Sequence, residues 1–147
     1  MAYDTLAQLP ADQAELLAHA PVGRLATADS NGLPHVIPVC YALMDGMIYS
    51  VLDQKPKRAT FTRLRRVRNI LVNPQVSLVV DHYEANWERL WYILISGHAE
   101  LLEEGEERPA AIQVLREKYA QYRAMNLDPN PVIKITPSHV VSWGFQD

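Results

Sequence analysis

The stretch LWYILISGHAELL, residues 90–102, constrains the fold more than any other part of the chain. Trp91, Ile93, Ile95, Gly97, Ala99 and Leu101 alternate with Tyr92, Leu94, Ser96, His98, Glu100 and Leu102, the period of two that a strand imposes. Apolar residues in both sets predict a central strand, covered on both faces. Other β-compatible runs surround it, and turns rather than helices join most of them. VGRLATADSNGLPHVIPVCYAL reads as a hairpin around Asn31-Gly32, and a second turn at Asp45-Gly46 leads into MIYSVL. QVSLVVDHY is a fourth strand, EANWER a loop, and VIKITPSHVVSWGF a final strand pair broken at Pro137.

Helices occupy the gaps. One is expected over residues 10–19, with Pro10 at its first position and Leu16 and Leu17 buried. A second, capped by Thr60 or Thr62, runs to Asn73-Pro74 with Phe61, Leu64, Val67 and Leu71 as its apolar stripe. A third spans residues 106–125, buried through Ile112, Leu115 and Tyr119 with Tyr122 beside them. Strands joined by turns do not make a doubly wound parallel sheet. The reading is α+β and mainly β: an antiparallel sheet closing into a small barrel with peripheral helices, one domain over residues 1–147.

No apolar run approaches the roughly 20 residues that span a bilayer, and the first residues lack the pattern of a signal peptide. A single cysteine, Cys40, rules out an internal disulfide framework and suits a reducing cytoplasm. It is expected as a buried, inert thiol. The six glycines spell neither a dinucleotide fingerprint nor a phosphate loop, and the five histidines lack metal-ligand spacing, so no metal is expected. His82 and His98 could face one another on adjacent strands, although isolated histidines are more often structural. A chain without catalytic apparatus of its own points to a cofactor that carries the chemistry.

The charge is unevenly spread. KPKRATFTRLRRVR, residues 55–68, holds seven of the 14 Lys and Arg residues of a protein with net charge −3, and no acid lies between Asp53 and Asp81. The acidic whole argues against a nucleic-acid module. Three readings of the cluster are open: a solvated helix face, pairing with the acids of residues 103–107, or a phosphate or carboxylate site. The last would use Lys55, Lys57 and Arg58 in the loop, with Arg68 or a neighbour from the helix.

GRLATADSNGLPHVIPVCYAL, DGMIYSVLDQKPKR, RNILVNPQVSLVVDHY, NWERLWYILISGHAEL and VVSWGF, in that order, resemble the pyridoxamine 5′-phosphate oxidase-like superfamily of split β-barrel flavoproteins. The likeness is greatest to its coenzyme F420-dependent branch. It implies an antiparallel split barrel, and a homodimer with cofactor sites at the subunit interface. It also implies a flavin-type ring against Pro38, Val39 and Cys40, bordered by Ser50 and Val51, with its phosphate on Lys55, Lys57 and Arg58. Trp87 and Trp91 are candidates to stack on the cofactor or close the dimer. SHVVSWGFQD replaces the substrate-binding arginine and histidine pattern of true pyridoxamine phosphate oxidases, so vitamin B6 oxidation is not implied. The function expected is hydride transfer between F420 (favoured) or FMN and an unsaturated small molecule, with no catalytic side chain named. The alternative is a carrier or sensor of flavin, F420 or haem.

Overall fold

The computed structural model describes residues 1–53 and 61–145. Its strands are β1 (Ala2–Tyr3), β2 (Gly23–Ala28), β3 (Pro34–Val39), β4 (Ala42–Met44), β5 (Met47–Val51), β6 (Gln75–His82), β7 (Trp91–Leu102) and β8 (Val132–Trp143). Three helices accompany them, α1 (Ala11–His19), α2 (Arg65–Val72) and α3 (Glu107–Lys118). All strands join one antiparallel sheet in the order β3-β2-β6-β7-β8-β5-β4, with β1 added to β8. This is the split-barrel form of the α+β class. No described helix is long and apolar enough to cross a membrane.

β7 lies between β6 and β8, as its two-sided apolar pattern predicts. Its inward residues Ile93 and Ile95 meet Leu25, Leu78, Val80 and Val140 in the barrel core, all fully buried. The final segment is one strand instead of two. Pro137 is absorbed by a bulge: Ser96 pairs with His139 and Gly97 with Pro137, leaving Ser138 as the extra residue. A Cβ on Gly97 would lie 2.2 Å from the Thr136 carbonyl oxygen, so the bulge needs glycine there.

The run expected as one strand, HVIPVCYAL, is broken at Cys40–Tyr41 into β3 and β4. These two strands are the opposite ends of the sheet order, yet only two residues separate them. Among the described residues β3 and β4 are therefore joined there by covalent chain and not by a strand ladder. That seam is the split.

The helices differ from expectation for physical reasons. α1 starts at Ala11 with Pro10 as its cap, and Leu16 is 41 % exposed while Leu17 alone enters the core. In the basic region a single turn at Phe61–Arg63 precedes α2, and Leu64 between them is extended. Phe61, Leu64 and Val67 of the expected stripe pack on the core, with Asn69 and Ile70 buried beside them, whereas Leu71 is 57 % exposed. Thr62 lies in the preceding turn and Thr60 outside the described residues, so Leu64 occupies the cap position of α2. The expected third helix stops at Lys118, where Tyr119 turns extended before a short 3₁₀ turn at Ala120–Ala124.

Candidate functional site

The seam leaves the peptide groups of Cys40 and Tyr41 without strand neighbours, and the end of α3 supplies substitutes. Tyr41 is fully buried and its peptide N–H donates to the Tyr119 hydroxyl at 3.0 Å. Its carbonyl accepts from Lys118 Nζ at 2.8 Å and lies 3.1 Å from the Tyr119 hydroxyl, whose single proton also faces the Pro21 carbonyl at 3.0 Å. The Lys118 ammonium sits 3.8 Å above the Tyr41 ring, a cation–π contact. The Tyr41 hydroxyl donates to the Leu17 carbonyl, tying the seam to α1. Tyr119 leaves helical geometry at the end of α3, and from that extended position its hydroxyl reaches the seam.

Burial sets the titration of the cluster. It lowers the Lys118 ammonium to about 8, against a smaller opposing effect of Cys40. It raises the Tyr119 phenol to about 12 and moves the Tyr41 phenol up as well. Both effects follow from loss of solvation for the charged form.

A cavity of about 330 Å³ opens beside the seam. Pro38, Val39 and Cys40 form one wall, from the end of β3. Ser50 and Val51 of β5, then Asp53, form another. Arg66 from α2 and Tyr122 from the turn after α3 complete it, with Val22 and Ile37. Because β3 ends the sheet order, its outer row of main-chain groups has no neighbouring strand among the described residues, and Pro38 removes one donor from the strand. The volume lies at the low end of small-molecule pockets, enough for part of a ring system but not for a ring with a long tail.

The polar corner of this cavity was not foreseen from the residues. The Tyr122 hydroxyl donates to Asp53 Oδ2 at 2.7 Å. Burial, then the adjoining carboxylate, push the Tyr122 phenol far up. The Arg66 guanidinium is pulled below its ordinary value by burial, while Asp53 and Tyr122 act to hold it charged. Cys40 is half-buried, lies just past β3 and is within electrostatic reach of Tyr119, Tyr122 and Lys118, so it is not the core thiol expected.

Of the residues expected at a cofactor site, Pro38, Val39, Cys40, Ser50 and Val51 come together on this one cavity. Lys55, Lys57 and Arg58 lie outside the described residues. Arg68 is exposed and is not on the cavity wall, where Arg66 stands instead; two positions along a helix turn a side chain about 200° away. Trp87 is 81 % exposed and Trp91 packs on Phe145 with centroids 5.6 Å apart, neither touching this cavity. Trp91 instead borders a second cavity of about 600 Å³ with His19, His82 and Arg89. His82 and His98 do not meet: in the β6–β7 ladder His82 pairs with Trp91 and His98 with Gln75, at opposite ends. Among the described residues no group of three or more His, Cys, Asp or Glu side chains is placed to hold a metal ion.

A 5a,11a-dehydrotetracycline/5a,11a-dehydrooxytetracycline reductase from Streptomyces rimosus is 27 % identical over 132 residues, 84 % of this chain and 75 % of that protein. A conserved hypothetical protein from Mycobacterium tuberculosis superposes with a TM-score of 0.74 at 22 % identity, over 92 % of this chain and 84 % of that one. The haem storage protein HutZ from Vibrio cholerae does so at 0.72 and 18 %, over 90 % and 91 %, and a FAD-binding protein from Mesorhizobium loti at 0.66 and 24 %, over 97 % and 96 %. The structural likenesses establish a shared fold. The sequence pattern of pyridoxamine 5′-phosphate oxidase matches residues 9–144, nearly the whole length, and the chain belongs to that family.

Proposed function

We propose that the protein is an oxidoreductase holding a flavin-type cofactor at the seam cavity, with F420 favoured over FMN, and acting on an unsaturated small molecule. The observation that carries this reading is the convergence of Pro38, Val39, Cys40, Ser50 and Val51 on one cavity beside the barrel split. Kinship with a reductase supports the reaction class. When bound, the cofactor supplies hydride transfer. The chain's part is to bind, orient and exclude water. Val22, Ile37, Val39 and Val51 give apolar walls, and the outer main-chain edge of β3 offers hydrogen-bonding groups to a ring.

The cavity would take part of a ring system, and the anionic tail of such a cofactor would need residues beyond it. Asp53 on one wall and Arg66 on another bracket the segment that carries Lys55, Lys57 and Arg58. We assign the phosphate to those three cations. The length of the basic run suits the additional anionic groups of F420 better than the single phosphate of FMN.

A second copy of the chain is part of the proposal. Val79, Leu94 and Val141 are cross-strand neighbours on the outer sheet face, half-buried, and Tyr92 stacks on Trp143 beside them at 5.4 Å. An apolar sheet face of this kind is suited to bury against its own copy.

Equilibrium titration with F420 and with FMN tests the reading, in the native protein and in Lys55→Ala/Lys57→Ala. Tight binding that the double substitution weakens is expected. FMN binding without F420 binding would reverse the cofactor preference, and binding of neither would leave only the fold. Turnover of enones or quinones with reduced cofactor then separates an enzyme from a carrier. A haem carrier is the second reading, favoured by the cavity that holds His19 and His82. It predicts a haem absorption band that His19→Ala and His82→Ala abolish.

A further inference from the structure

The cavity at the seam carries two opposite charges on its wall, Arg66 and Asp53, within electrostatic reach of each other. Their positions are constrained by the fold. Asp53 accepts the Tyr122 hydroxyl at 2.7 Å, and Tyr122 is itself buried against α3. Arg66 belongs to α2, which is docked through Val67 and Ile70 and through Asn69, whose Nδ2 donates to Thr27 Oγ1 of β2 at 2.9 Å, both residues buried. Neither charge sits on a free surface side chain. The Asp53 carboxylate disfavours negative charge in the cavity and the Arg66 guanidinium favours it, so a ring whose charge changes while bound would feel both in opposite senses.

From this, and resting on the flavin-type reading above, we infer that Arg66 and Asp53 form an opposed charge pair that sets the relative affinity for the reduced and oxidised cofactor, and hence its reduction potential. Two-electron reduction with uptake of one proton adds one negative charge to the ring. Arg66 attracts that charge and Asp53 repels it, whichever edge of the ring lies toward them. With both present the effects largely offset. Removing either unmasks the other, so the two substitutions must act with opposite signs.

The test is the ratio of dissociation constants, oxidised over reduced, for FMN and for F420, measured anaerobically by fluorescence and absorbance titration. Arg66→Gln should lower that ratio about tenfold and Asp53→Asn should raise it about tenfold. That is the size expected of one charge acting across a cavity partly open to water, at an effective dielectric of about 20. Tenfold corresponds to about 30 mV for a two-electron couple. Arg66→Lys should keep the native ratio. A group that only holds phosphate, or only holds the fold, changes both constants together and leaves the ratio alone, as Lys55→Ala/Lys57→Ala should. Ratios within twofold of native in both single variants, or shifts of the same sign, overturn the inference while leaving the cofactor reading intact. Failure of the native protein to bind either cofactor overturns both.

Discussion

Replacing Tyr119 by Phe isolates the hydroxyl that closes the seam. The ring stays, and with it the contact to Tyr122 at 5.4 Å between centroids. Three hydrogen-bonding relations go. The Pro21 carbonyl is on the exposed side and water replaces the lost donor. The Tyr41 carbonyl keeps Lys118 at 2.8 Å. The Tyr41 N–H, inside a fully buried residue, loses the acceptor 3.0 Å away. One buried donor left unsatisfied costs about 1–3 kcal/mol. For a chain of this length each kcal/mol moves the melting temperature by about 2–4 °C. The expected loss is therefore about 2 kcal/mol and roughly 4–8 °C. Thermal and urea unfolding followed by tryptophan fluorescence would measure it, with amide exchange at Tyr41 as the local readout. A drop under about 1 °C with undiminished protection at Tyr41 would refute the reasoning, because some other group would then be holding the seam.

Lys118 gives a pH signature. Its folded pKa of about 8 lies below the usual lysine value of about 10.4, so between those limits the unfolded chain holds a proton that the folded one has released. Stability contributed by this site therefore rises with pH above 8, and Lys118→Met should remove the rise; equal pH slopes of the urea midpoint from pH 7 to 10 in both proteins would contradict the assignment. Gly97→Ala puts a Cβ 2.2 Å from the Thr136 oxygen and 3.0 Å from the Pro137 Cα, both backbone, so a loss of about 1–3 kcal/mol in urea unfolding is expected. Thr27→Val strands the buried Asn69 amide at a cost of about 1–3 kcal/mol and, by loosening α2, should weaken FMN or F420 binding in titration more than Arg68→Ala does.

The sequence makes plain those features that local chemistry decides. β7 announces itself by apolar residues in both registers, and Asp45-Gly46 by a turn whose two residues both take positive φ, 53° and 77°. The wall residues 38–40 and 50–51 came from the family resemblance and fall on one cavity. The seam did not show itself, because Val39-Cys40-Tyr41-Ala42 reads as continuous strand; what breaks it is the closing geometry of the whole barrel. The sequence left the helix cation open between Arg68 and a neighbour, and only the docked position of α2 puts Arg66 on the cavity wall. Asp53 and Tyr122 are 69 residues apart and meet only after α3 ends at Lys118. Such long-range pairings have no local signature.

The placement of β8 bears on how the chain is made. Val132–Trp143 pairs with β7, with β5 and with β1, and so joins strands from the start and the middle of the sequence. Synthesis proceeds from the N-terminus, and β5, one wall of the cavity, lacks its inner neighbour until β8 has left the ribosome. A nascent chain that stops short of β8 holds β4–β5 as a hairpin packed on α3 alone, cut off from the rest of the sheet. Ligand-binding competence should accordingly arise in a single late step, and a ribosome-stalled series should gain cofactor fluorescence only in chains that have released residue 143.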